Sequence, residues 1–295
     1  MQLGVHLPQN ELGLDREAIR RFVQEAEAIG YHYLIMGEHV LGSDAAEQDE
    51  NRPYTADWVW HEPFVLFAWL SALTQRMRFM PSVMVISQRQ GVLVAKQAAE
   101  LDFLSGGRLM LGVGTGWSTV EYEALGVDFA TRGRRIDEQI QLMRALWGER
   151  LVDFDGEFHT VRGGGLNPRP TQQIPIWYGG MSNRVLDRIG RLCDGWNVRR
   201  TDFLRMDEAE QEREFRRMLG RIHAAAEGAG RDPSRIQIGV AIDAGGRTAA
   251  EQAAEAERWR ERGVTHVAIR TTHADLDGLD QHLDAIRAFH EAFDG

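Results

Sequence analysis

Residues Val92–Gly116, VLVAKQAAELDFLSGGRLMLGVGTG, decide the fold. A helical pattern closed by Gly106 and Gly107 runs straight into a nearly continuous apolar strand, RLMLGVG. A strand without alternation is buried on both faces, as parallel strands are. Outward from this unit the same rhythm repeats. LGVHLP opens the chain as a strand, and LDREAIRRFVQEAEAIGY follows as a helix. That helix carries Ile19, Phe22, Val23, Ala26 and Ile29 at helical spacing, Asp15 to cap its start and Gly30 to end it. YHYLIMGEHV, RFMPSVMVIS, IPIWYGG, CDGWNV, IQIGVAI and THVAIRT supply the other strands, and helical patterns follow them. Eight strand-helix units predict an α/β fold, a (β/α)8 TIM barrel with insertions in the βα loops. An open doubly wound sheet is the alternative; alternation that stops at eight favours the barrel.

Two stretches break the rhythm, around 41–60 and 151–173. The first is acidic and reads as a surface loop or a lid over 43–51. The second contains VDFDGEFHTV, two alternating runs around Asp-Gly, which predicts a hairpin. No composition break or internal repeat divides the chain, so residues 1–295 read as a single domain.

The chain is 43% hydrophobic and 26% charged, ordinary for a globular protein. A formal net charge of −10 argues against a general nucleic-acid binder. No apolar run reaches the roughly 20 residues that span a bilayer, and no basic segment precedes the short apolar run at the start. Cys193 is the one cysteine, so no internal disulfide forms, which fits the cytoplasm. RGRR at Arg132–Arg135 and the pair Arg199–Arg200 read either as solvated surface or as a local anion site.

The glycines of GVGTGW do not make a Rossmann loop. Their spacing at Gly112, Gly114 and Gly116 is G-x-G-x-G, and the acids about twenty residues on, Asp137 and Glu138, fall inside a helix. A barrel strand whose mouth is bared for a flat ligand is the better reading, with tight turns as the alternative. Other barrel chemistries are poorly supported. Paired metal-spaced histidines are missing around His6, no facing carboxylates flank the fourth strand, and Cys193 sits at the wrong barrel end for a nucleophile. So few catalytic side chains suggest that a cofactor carries the chemistry. Gly179, Gly180 and Ser182 run into a helix and offer N–H donors to a phosphate, or simply a turn and cap.

At this point the block from VLVAKQAAELDF to RRIDEQIQLMRALW, with GEHV, DGEF and PIWYGGMS, closely resembles the bacterial luciferase-like monooxygenase superfamily, which includes coenzyme F420-dependent oxidoreductases. The resemblance implies FMN or F420 bound at the C-terminal barrel end, commonly in a homodimer. It implies a bulge in the third strand, often with a non-prolyl cis peptide, here at Ser82–Val83; a Ser-Val pair resembles the F420 branch. Glu38 and His39 match the position beside the reactive ring. The cofactor-contacting positions that match are His6, Ser82, Val83, Gly114, Gly116, Trp117, Tyr122, Gly179, Gly180, Met181 and Ser182. Trp117 departs from those F420 dehydrogenases that place a glutamate there, which argues against sugar-phosphate oxidation. Gly91 stands where relatives often have proline.

The expectation is therefore an enzyme: an oxidoreductase passing a hydride between coenzyme F420 and a small organic substrate. His39 would donate or polarise, or else serve as a structural histidine hydrogen-bonded beneath the cofactor, and Glu38 would orient it or form an ion pair at the barrel mouth. An FMN-dependent two-component monooxygenase, served by a reductase partner, and a non-catalytic flavin carrier remain the alternatives. Trp58, Trp60 and Trp177 are candidate pocket walls, with core packing as the default. No metal, nucleic-acid or membrane partner is expected.

Overall fold

The computed structural model describes residues 1–43 and 54–294; most of the proposed lid, from residue 44 on, lies outside the described residues. In chain order the elements are β1 (Gln2–His6), α1 (Gln9–Leu12), α2 (Arg16–Ile29), β2 (Tyr33–Met36), α3 (Pro63–Ser71), β3 (Arg78–Pro81), α4 (Gly91–Ser105), β4 (Leu111–Val113), α5 (Thr119–Ala124), α6 (Arg132–Gly148), β5 (Val152–Asp155), β6 (Thr160–Gly164) and β7 (Ile176–Gly179). Then come α7 (Asn183–Leu192), β8 (Gly195–Val198), α8 (Glu208–Gly228), β9 (Gln237–Asp243), α9 (Ala249–Glu261), β10 (His266–Arg270) and α10 (Gly278–Asp294).

Eight parallel strands form one sheet in the order β3-β2-β1-β10-β9-β8-β7-β4. Its two edges meet. Phe79 N donates to Arg108 O at 2.9 Å, Met110 N to Phe79 O at 2.9 Å, and Met84 N to Gly112 O at 2.9 Å, so β3 and its continuation lie against β4 and close the barrel. The strands are short and buried because helices cover them outside and side chains fill them inside. Tyr33, Ile35, Met80, Met110, Trp177 and Ala268 form the interior cluster. A second, larger cluster seals strands to helices, with Val5, Phe22, Phe67, Ile140 and Ile286 among its members.

Local signals set the element ends. Asp15 accepts from the N–H groups of Glu17 and Ala18 at 2.9 and 3.1 Å, and Gly30 closes α2 at φ 124°. The expected hairpin is present as antiparallel β5–β6, in the connection from α6 to β7; the 41–60 stretch follows β2. The third strand is shorter than its sequence suggests. Regular pairing with β2 ends at Pro81, and residues 82–85 turn away as an irregular ledge.

Candidate active site

That ledge builds one wall of a cavity of about 530 Å3 at the C-terminal strand ends, where a barrel places its chemistry. Ser82 N donates to Met36 O at 2.7 Å, the Ser82–Val83 peptide is cis, and Gly114 N donates to Met84 O at 3.1 Å. The ledge is thus tied to β2 on one side and β4 on the other. Val83 then packs over two glycines. A Cβ on Gly114 would stand 2.6 Å from Val83 Cγ2, and one on Gly179 would stand 3.3 Å from Val83 Cγ1. Gly116, at φ 62°, leaves room for Val85, and Gly112 for the Pro81 carbonyl. These glycines serve the neighbouring backbone and side chains first, and present Val83 to the cavity.

His6, Ser82, Val83, Gly114, Gly116, Trp117, Gly179 and Gly180 all line this cavity. Met181, Ser182, Tyr122, Glu38 and His39 stand outside its lining. Ser182 begins α7 without a side-chain cap bond, and Met181 is half-buried against the core. Tyr122 is buried; its hydroxyl donates to Thr115 O at 2.9 Å and pairs with Ser87, directed into the protein beneath Thr115. Trp177 is also buried, inside the barrel, in the space left by Gly195 and Gly239. Trp58 and Trp60 stack on each other, 6.1 Å between rings, and Trp60 lies 5.0 Å from His39.

Glu38 does not orient His39. It is buried, forms an ion pair with Arg89, and accepts from Val85 N at 3.3 Å, which ties it to the ledge. Burial raises its pKa; the Arg89 charge opposes this. The partner of His39 is Glu121, whose Oε2 lies 3.2 Å from His39 Nδ1. The same carboxylate accepts from Val40 N at 2.5 Å and Leu41 N at 3.2 Å, so it fixes the backbone that carries His39 as well as the ring. Ser118-x-x-Glu121 looks like a capping box in the sequence. Ser118 does cap α5, but the glutamate reaches across to the end of β2 instead of back to Ser118. Trp117 separates the two regions: it lines the cavity and lies 5.5 Å from the His39 ring.

His6, at the end of β1, is the histidine among the described residues that lines the cavity. Burial first, and the Arg270 charge second, lower its pKa to about 3, so it is neutral near pH 7, and its Nε2 has no hydrogen-bond partner. Cys193 is buried at the opposite strand ends, its thiol pushed up to about 12 by burial, as a packing residue would be. Among the described residues no helix is long and apolar enough to cross a membrane.

The profile of the luciferase-like monooxygenase family matches residues 1–294. The chain belongs to that family. An uncharacterized protein of Mycobacterium tuberculosis is 36% identical over 284 residues, covering 90% of this chain and 91% of the relative. Among solved structures, the monooxygenase RslO1 from Streptomyces bottropensis superposes with a TM-score of 0.79 at 18% identity, over 99% of this chain and 98% of the other. An F420-dependent secondary alcohol dehydrogenase, bound to an F420-acetone adduct, superposes with a TM-score of 0.73 at 16% identity, over 99% and 98%. These two likenesses establish the barrel; family membership establishes an oxidoreductase or monooxygenase lineage.

Proposed function

We propose that the protein transfers a hydride between coenzyme F420 and a small organic substrate. The observation that carries this reading is the Val83 ledge, seated on Gly114 and Gly179 and facing the cavity. A flat tricyclic ring needs such an apolar support, and about 530 Å3 lies within the usual range for an organic ligand. When bound, the deazaflavin supplies two-electron redox chemistry. The chain supplies position, shelter and a proton. Gly179, Gly180 and the start of α7 offer backbone donors to a phosphate, helped by the helix dipole. Trp117 narrows access to water, and His39, held by Glu121 outside the cavity lining and 5.5 Å from the Trp117 ring, supplies the proton past Trp117. A cytoplasmic homodimer is part of the same proposal and rests on the family resemblance alone.

The family description and RslO1 favour a second reading, an FMN-dependent monooxygenase fed by a reductase. Separate titrations with F420 and FMN decide between them. Tight F420 binding without FMN binding is expected; the reverse selects the second reading, and binding of neither removes the cofactor argument. Oxidation of reduced F420 by a panel of small carbonyl and alkene compounds then separates an enzyme from a carrier.

A further inference from the structure

The cavity lining contains His6, Arg199, Arg200 and Arg270, and among the described residues no aspartate or glutamate, in a chain whose net charge is −10. The counter-charges stand behind the wall. Asp243 takes Arg270 Nε at 2.5 Å and Arg200 Nη1 at 3.1 Å. Glu255 takes Arg200 Nε at 2.5 Å and Nη2 at 3.1 Å. Asp202 takes Arg199 Nε at 2.8 Å and Nη2 at 2.7 Å. Each of the three guanidinium nitrogens of Arg200 is therefore engaged. Both terminal amino groups of Arg270 and Nη1 of Arg199 have no partner among the described residues. A guanidinium anchored from behind, with its terminal donors free, is arranged for a planar or tetrahedral anion. His6 faces the same charges: after burial, the Arg270 cation lowers its pKa more than the Asp243 anion raises it. The neutral His6 also leaves Nε2 unpartnered on the cavity floor.

We propose that this wall, formed by the ends of β8 and β10, is a substrate subsite for a carboxylate or phosphate group, gripped by Arg270 and Arg199 beside His6. The inference rests on the oxidoreductase reading and narrows its substrate to organic acids or phosphate esters. The glycine-lined ledge across the cavity is left to the cofactor.

Calorimetry in a non-anionic buffer tests it, with inorganic phosphate and malonate as probes. Wild type, Arg270→Gln and Arg199→Gln are titrated before and after saturation with F420, and the F420 affinity of each is measured. At least one anion should bind the F420-saturated wild type. Arg270→Gln should weaken that binding about tenfold or more and Arg199→Gln about threefold, with F420 affinity changed less than about threefold. The preferred probe names the source, acid or ester. Should neither anion bind, the proposal is overturned. It is also overturned if F420 displaces the anion and the variants lose F420 affinity instead, because the wall would then serve the cofactor. Anion binding that depends on Arg270, in a protein that binds neither F420 nor FMN, would sink the oxidoreductase reading while the anion subsite stands. Thermal melts check folding, and Arg199→Gln, at a largely exposed side chain, decides if Arg270→Gln does not fold.

Discussion

Glu121 performs two jobs with one carboxylate, and substitutions can separate them. It accepts two backbone N–H groups after β2 and holds His39 Nδ1. Val40 and Leu41 are exposed, so in Glu121→Ala water can reach those donors and the loss is the net worth of the hydrogen bonds, about 0.5–1.5 kcal/mol each, seen as a lower urea midpoint. Glu121→Gln keeps an acceptor and should recover most of that stability, yet its amide lacks the carboxylate's charge beside His39 Nδ1. Turnover should therefore stay low in Glu121→Gln while stability returns. His39→Ala should lower turnover about a hundredfold with F420 affinity little changed. If His39→Ala leaves turnover intact, the ring is structural. Nothing in the sequence pairs these residues: they are 82 positions apart, and the glutamate's local signal is that of a helix cap.

At the scale of the element, the glycines of β4 and its mouth make a graded set. Gly114→Ala places a methyl 2.6 Å from a Val83 methyl, so the ledge must move; a loss of about 1–3 kcal/mol and weaker cofactor binding are expected together. Gly220, inside α8, has nothing within 4 Å of its Cβ position, so Gly220→Ala should stabilise by about 0.5–1 kcal/mol and leave binding unchanged. Chemical denaturation read beside a cofactor titration checks both, and a Gly114→Ala protein that binds normally would remove the ledge from the argument. The sequence shows that the strand mouth is bare, because glycine is visible in one letter. It does not show what fills the gap, since Val83 arrives from a neighbouring strand. For the same reason RFMPSVMVIS reads as one long strand: the register that ends pairing at Pro81 is set by β2 and β4 together. Helix α2 was legible to the residue, because Asp15 and Gly30 act on their own neighbours.

The whole molecule adds terms that no single element reveals. The barrel count follows from alternation alone, whereas net charge conceals a cavity walled by arginine, because acids elsewhere on the chain set the sum. Burial of neutral histidines at both ends of the barrel has a consequence for stability. His6 is lowered to about 3 and His266 to about 4, burial being the first cause in each. In the unfolded chain both return to about 6.5 and bind protons first. Their contribution is therefore complete above about pH 6.5 and is lost as pH falls toward those folded values, at up to about 1.4 kcal/mol per pH unit for each group. Glu38, raised by burial, acts in the opposite direction, its contribution falling as pH rises above the usual carboxylate range. Glu138 and Glu255, both lowered, add to the loss in more acid solution. A variant isolates one term from this sum, since the others cancel in the difference between two proteins. Unfolding free energies of wild type and His6→Gln, measured from pH 7 to pH 4, should differ by an amount that shrinks or reverses as pH falls, because only the wild type must protonate His6 on unfolding. Parallel curves would mean that His6 does not stay neutral in the folded barrel, and that its place beside Arg270 exerts less force than the geometry implies.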